Sequence, residues 1–229
     1  IQVNAAAVTA MLESVRTAHR GARVFSAASG EIFGDGQDSL QDEGTPCRPR
    51  TPYAIAKLHA HLTIGAYRDH HGLHASSGIA FNHESSRRPP EFVTRKVTRT
   101  AAAIKLGLED ELVLGDLDAV RDWGYAPDFV EAMWLMLQQE QPADYVIATG
   151  VGRTVRELVD AAFAAAGLSV EPHLRIDPAL VRRREAKPSI GDASKARVRL
   201  GWAPRTSFAE MVAAMVEHDL LALAPAERS

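Results

Sequence analysis

Four side chains in the stretch 24–57 make a set able to oxidise an alcohol and to move protons beside it: Ser29, Glu31, Tyr53 and Lys57. A phenol has a pKa of about 10, too high for a base near neutral pH. An ammonium beside it favours the phenolate and lowers that value. Tyr53 and Lys57 lie four residues apart behind Pro52, which places both on one face of a helix that the proline opens. The Ser29 hydroxyl suits the substrate oxygen being oxidised. Glu31 adds a second acid–base group, which a simple alcohol oxidation does not need. A lone Y-x-x-x-K is a common helical pair. It gains weight here from the S-x-E that ends the preceding apolar run.

The elements that must hold these residues follow from the pattern. Residues 23–28 read as a buried strand and 29–51 as a long loop rich in Gly, Asp and Pro, a length usually kept for function. Gly30, Gly34 and Gly36 have the wrong spacing for a G-x-G-x-x-G phosphate loop and read as turn residues. Helices are expected over 4–19, 53–71, 92–106, 154–166, 192–200 and 207–221, and from a cap at Asp128 through Gln139. Strands are expected over 73–81, 112–114, 145–149 and 174–176. Residues 82–90 read as a polar loop, and Arg121-Asp122-Trp123-Gly124 as a tight polar-aromatic turn with Trp123 in a packing role. Strands alternating with helices predict an α/β fold with a mostly parallel sheet. Ligands of such sheets bind at the carboxyl ends of the strands. Ser29, Glu31, Asn82 and His83 all fall at such ends, which points to one shared site.

Composition narrows the function. The chain has 229 residues, 46% hydrophobic and 24% charged, enough for a substantial core. A net charge of -3 gives no electrostatic case for nucleic acid or for an anionic membrane surface. No apolar run is long enough to span a bilayer. Cys47 is the only cysteine, so no internal disulfide forms, which fits a reducing cytoplasm. Of the histidines at 59, 61, 70, 71 and 74, only His70 and His74 have helical spacing, with Gly72 between them, so no metal site is expected.

Longer stretches carry a resemblance. S-G-E-I-F-G, T-P-Y-A-I-A-K, F-N-H-E-S-S-R-R, F-V-T-R-K-V-T-R and V-L-G-D-L-D-A-V-R-D-W-G-Y-A-P-D resemble the extended short-chain dehydrogenase/reductases, and within them the GDP-mannose 4,6-dehydratases. The resemblance covers nearly the whole chain. It implies a partial Rossmann-like, doubly wound parallel sheet with a smaller carboxy-terminal substrate-binding subdomain. Residues 1–81 would be the remaining half of the NADP-binding domain, and 82–229 mainly the nucleotide-sugar region, with 126–150 returning to the sheet. It also implies that Tyr53, supported by Lys57, takes the proton from the 4-hydroxyl of mannose while hydride passes to NADP. Glu31 would then remove the carbon-5 proton as water leaves carbon 6.

Further roles carry over by position. His83 and Arg88, with Tyr53 and Lys57, would contact NADP. Asn82, Lys96, Arg121, Arg182 and Glu185 would hold GDP-mannose, since guanidinium and ammonium groups suit a pyrophosphate. Asp116 stands where the family usually has Asn. The family's glycine-rich first turn has no counterpart, and roughly a hundred residues of the first βαβ units are expected to be missing. A homodimer or homotetramer is expected, with the helices at 52–71 and 92–107 as its face. Two other readings stay open: another NAD(P)-dependent nucleotide-sugar epimerase or dehydratase, and a non-catalytic fragment that binds a GDP-sugar.

Overall fold

The computed structural model describes residues 2–36, 40–181 and 188–224. A short π-helical turn leads into α1 (Ala7–Ala18), followed by β1 (Val24–Ser29), α2 (Pro52–His71), β2 (Ala75–Ala80), β3 (Asn82–Glu84), α3 (Val93–Lys105), β4 (Leu112–Leu114) and β5 (Val120–Tyr125). Then come α4 (Ala126–Gln138), β6 (Tyr145–Ile147), β7 (Gly152–Thr154), α5 (Val155–Ala166), β8 (Leu174–Ile176), α6 (Ser194–Leu200) and α7 (Phe208–Leu223). The order β1-β2-β6 makes a parallel sheet. β3-β5-β7 is mixed, with β3 parallel and β7 antiparallel to β5. β4 and β8 form a small parallel pair. The fold is α/β of the Rossmann type.

β2 is buried along its whole length, because α1 and α2 cover one face of the sheet and α4 and α6 the other. Leu12, Ile64 and Leu73 fill the first interface; Phe129, Met136, Ile147 and Trp202 fill the second. A separate core joins α3, α5 and α7 through Val97, Leu158, Phe163, Met211 and Met215.

α2 positions the Tyr–Lys pair and has firm ends. The Thr51 Oγ1 accepts from the Ala54 N–H at 3.0 Å, Pro52 occupies the first turn, and Gly72 closes the helix with φ 64°. α5 and α7 open with complete capping boxes, Thr154/Glu157 and Ser207/Glu210.

Three expectations are corrected. Residues 82–84 are a strand rather than loop, because Asn82 pairs in register with Trp123 of β5. Residues 121–124 are the middle of β5 rather than a turn. Asp128 does not cap α4. It lies inside the first turn, with Tyr125 at the cap position, and its Oδ2 accepts from the Arg205 and Thr206 N–H groups at 3.0 and 2.9 Å. α3 packs its inner side on α5 and α7: Val97, Thr98, Ala101 and Ala102 are fully buried there, Arg95 pairs with Asp219 and the Thr98 hydroxyl donates to Asp219 at 3.0 Å.

One buried carboxylate joins these parts. Asp122 is 0% exposed. Its Oδ1 accepts from the Thr149 N–H at 3.0 Å and the Thr149 hydroxyl at 2.6 Å; its Oδ2 accepts from the N–H groups of Gly150 at 3.0 Å and Gly191 at 3.3 Å. Burial pushes its carboxyl above the usual range, and these hydrogen bonds pull it back. An amide in its place turns a donor toward two of those donors. Asp122→Asn is therefore expected to destabilise the fold by about 2–4 kcal/mol in urea denaturation, whereas the exposed Asp69→Asn stays within about 0.5 kcal/mol of the parent.

Candidate active site

The site starts where β1 ends. Ser29 is the last residue of β1, and its Oγ accepts from the Glu31 N–H at 3.3 Å, which starts the 3-10 turn Gly30–Phe33. The turn brings Glu31 to the Thr51 hydroxyl, which donates to Oε2 at 3.4 Å just ahead of α2. Tyr53 follows, 45% exposed, with its phenol near enough to Ser29 and Glu31 for both to shift it. Ser29, Glu31 and Tyr53 thus converge from three segments.

The electrostatics differ from the expectation at one point. Burial raises the Tyr53 phenol above its ordinary value; the Ser29 hydroxyl and the Arg88 charge pull it back, and Glu31 raises it further. Lys57 does not supply the lowering. Its Nζ lies 5.7 Å from the centre of the Tyr53 ring and donates to the Ala27 carbonyl at 2.8 Å, and burial lowers its own pKa.

A cleft of about 720 Å³ runs from Glu31 between β3, β5 and the start of α3. Strand alternation decides who faces it. On β3, Asn82 and Glu84 line the cleft and His83 does not; His83 stacks on Phe129 of α4 at 5.2 Å, with Nδ1 donating to the Phe81 carbonyl at 2.8 Å. On β5, Arg121 and Trp123 line it while Asp122 faces the buried clamp. The Arg121 Nη1 donates to the Val120 carbonyl at 2.7 Å and the Lys96 Nζ to the Val113 carbonyl at 2.7 Å. Asn82 Nδ2 reaches the Asp122 carbonyl at 3.4 Å. Asp116 borders both this cleft and an adjoining hollow of about 420 Å³. The cleft therefore gathers Glu31, Asn82, Arg88, Lys96 and Arg121, and Glu31 connects it to Ser29 and Tyr53. Arg182 and Glu185 lie outside the described residues.

Three cleft residues escaped sequence reading. Glu84 is 2% exposed, accepts from the Thr94 hydroxyl at 2.6 Å, and lies 3.4 Å from the Arg88 Nε. The Arg88 guanidinium stacks on Phe92 at 3.7 Å from the ring centre. Reading 82–84 as a strand is the signal that finds Glu84, since it follows Asn82 on the same face. Thr94 and Phe92 have no such signal. Burial pushes the Glu84 carboxyl up, and Thr94 and Arg88 oppose that. Removing Arg88 raises it further. An acid raised on folding contributes stability at low pH and loses it as pH climbs through the folded pKa. Arg88→Met is thus expected to cost about 1–2 kcal/mol at pH 7, less than for a fully buried pair because the arginine is partly exposed. The deficit shrinks toward pH 4 in urea melts across that range.

Comparison with known proteins agrees with this architecture. A family model for GDP-mannose 4,6 dehydratase matches residues 1–215. GDP-mannose 4,6 dehydratase 1 of Arabidopsis thaliana is 48% identical over 92% of this chain and 59% of its own length. The GDP-mannose 4,6-dehydratase of Sinorhizobium fredii is 44% identical over 92% of this chain and 65% of its own. The chain thus spans about three-fifths of the length of these relatives. Among solved structures, RMD from Pseudomonas aeruginosa complexed with NADPH superposes with a TM-score of 0.89 at 22% identity, covering 97% of this chain and 74% of that one, a likeness of fold. A Thermus thermophilus UDP-glucose 4-epimerase complexed with NAD superposes with a TM-score of 0.80 at 27% identity, covering 95% of this chain and 70% of that one. With a matching family model over nearly its whole length, the chain belongs to the GDP-mannose 4,6-dehydratase family.

Proposed function

We propose that this chain carries the reacting groups and the sugar-nucleotide cleft of an NADP-dependent GDP-mannose 4,6-dehydratase. The observation that carries this reading is the convergence of Ser29, Glu31 and Tyr53 at one end of a cleft that also holds Arg88, Lys96 and Arg121. A carboxylate beside the phenol is what separates dehydration from plain alcohol oxidation.

Tyr53 takes the proton from the 4-hydroxyl, and the Ser29 hydroxyl holds that oxygen. The ketone formed at carbon 4 acidifies the proton on carbon 5. Glu31 removes that proton and passes it to the 6-hydroxyl, which leaves carbon 6 as water. The Thr51 hydroxyl steadies the Glu31 carboxylate for that task. Lys96 and Arg121 bring cationic groups suited to the pyrophosphate of GDP-mannose, and Asn82 adds an amide beside Arg121.

The described residues fit one side of a dinucleotide. The Arg88 guanidinium, paired through Nε with the Glu84 carboxylate at 3.4 Å, is a planar cation suited to a phosphate. Arg88 and Lys57 would hold NADP on the Tyr53 side, with His83 behind the β3 strand. NADP bound there would supply a reversible hydride acceptor for the sugar.

Further parts of the reading concern assembly. Residues 1–81 with 126–150 act as the cofactor-side domain and the remainder as the sugar-nucleotide side. α2 offers a face for a second copy through Ile55 and Leu62, both exposed, in a homodimer or homotetramer. Among the described residues no helix is long and apolar enough to cross a membrane, in keeping with action in the cytoplasm.

The test is a turnover assay on the intact gene product with NADP and GDP-mannose, read by mass spectrometry as a product lighter by one water. Tyr53→Phe and Glu31→Gln should each lower kcat by at least about 100-fold. UDP-glucose should yield no epimer. Full turnover by either variant overturns the assignment.

A further inference from the structure

Glu84 is the buried carboxylate of the cleft. Glu31, Glu91 and Asp118 in the same wall are exposed, whereas Glu84 is 2% exposed. β3 fixes it there, in register with Tyr125 of β5. Its Oε2 accepts from the Thr94 hydroxyl at 2.6 Å and lies 3.4 Å from the Arg88 Nε. A charge-assisted hydrogen bond from a guanidinium to a carboxylate closes to about 2.7–2.9 Å, so this pair is loose. Arg88 is held from elsewhere. Its backbone N–H donates to the Ser85 carbonyl at 3.0 Å, and its guanidinium lies on the Phe92 ring. Its side chain is 28% exposed, so a solute can reach it.

The other charged groups around the cleft turn to other partners. From α3, the Lys96 Nζ donates to the Val113 carbonyl; from β5, the Arg121 Nη1 donates to the Val120 carbonyl, and Asp122 lies on the opposite face in its clamp. Glu31 meets the Thr51 hydroxyl. His83, next to Glu84 in the chain, is on the other face of β3 against Phe129 of α4. Burial favours the protonated form of Glu84, and Thr94 and Arg88 oppose it. A phosphate that takes the Arg88 guanidinium puts a second negative charge beside Glu84 in a nearly dry corner. Two acidic groups sharing one cation in such a place do not both stay ionised, and the carboxylate is the weaker acid of the two.

We propose that Glu84 is a displaceable counter-anion: it holds Arg88 in wait, yields the guanidinium to a phosphate group of an incoming nucleotide, and takes a proton from solvent as it does so. Arg88 thus binds phosphate together with a proton, and Glu84 is a positioning residue that acts through Arg88. A nucleotide coenzyme and a sugar nucleotide carry the same phosphate chemistry, and the planar guanidinium fork suits either. The inference rests on the dehydratase reading only in supposing that such a nucleotide enters this cleft. The sign follows from linkage: binding raises the Glu84 carboxyl, so protons are taken up and affinity falls as pH climbs from its free to its bound value. Glutamine in its place stays neutral, so its affinity stays level across that range.

Calorimetric titration of the intact gene product tests it, with NADP and separately with GDP-mannose, in buffers of different ionisation enthalpy from about pH 5 to about pH 8. The dependence of binding enthalpy on buffer ionisation enthalpy gives the protons taken up. For the parent, uptake should peak at roughly half a proton per nucleotide above that of Glu84→Gln. A phosphate monoester such as the NADP 2′-phosphate itself titrates at about pH 6, so the difference between parent and variant is what counts. Glu84→Gln should bind about tenfold more tightly than the parent at the alkaline end and equally at the acid end. Thr94→Val, which removes a donor to the carboxylate, should move the uptake maximum up by roughly half a pH unit or more, and Thr94→Ser should leave it in place; this pair decides if Glu84→Gln does not fold. Uptake with one nucleotide and not the other identifies which of them meets Arg88. Binding with no excess uptake over Glu84→Gln, weaker binding by Glu84→Gln at the alkaline end, or a maximum unmoved by Thr94→Val overturns the proposal and leaves the dehydratase reading standing. Binding of neither nucleotide overturns both.

Discussion

The structure depends on how the Asp122 carboxylate is satisfied. It is fully buried and takes four donors from two loops, 149–150 and the segment at 191. A buried carboxylate without such partners costs several kcal/mol, so the loops have little freedom to leave it. Its position on β5 then decides the rest. Strand alternation sends Arg121 and Trp123 to the opposite face, into the cleft. The parallel pairing of β5 with β3 sends Asn82 and Glu84 there too. The Gly191 contact also anchors the stretch that holds Pro188, another residue of the cleft wall. One carboxylate on the buried face thus organises the binding groups on the other.

Much of this was legible in the residues, and the limits are physical. The helix 52–71 could be read because Thr51, Pro52 and Gly72 are local signals that act within one turn. Tyr53 and Lys57 followed from it, as Ser29 followed from the apolar run before it. β3 and β5 were misread because they carry almost no aliphatic residues, none in Asn82-His83-Glu84 and only Val120 in β5, so no hydropathy alternation marks them. What makes Asn82-His83-Glu84 a strand is its partner some forty residues on, a long-range fact. Asp128 looked like a cap because Asp is a common cap, yet the N–H groups it accepts belong to residues 205 and 206. The cleft residues Glu84, Thr94 and Phe92 come from the same blind spot: a carboxylate buried on a three-residue strand, with its hydroxyl and cation from elsewhere.

The charges in the site bear on the Tyr53 phenol. Burial and Glu31 hold Tyr53 protonated, and Arg88 and Ser29 only partly oppose them. Lys57, the group expected to lower the phenol, is turned to the Ala27 carbonyl. Arg88 in turn is held between the Glu84 carboxylate and the Phe92 ring. Binding an anion in the cleft therefore competes with Glu84 for the same guanidinium. The groups proposed for dehydration thus sit in an electrostatic setting that an anion bound at Arg88 would change.

The measurement that tests the central claim most directly is a calorimetric titration of this chain with GDP-mannose, repeated with Lys96→Met and Arg121→Met. The account predicts saturable one-to-one binding that each variant weakens by roughly tenfold or more, as loss of a charged contact to a pyrophosphate should. No binding by the parent chain, or equal binding by all three proteins, would contradict it.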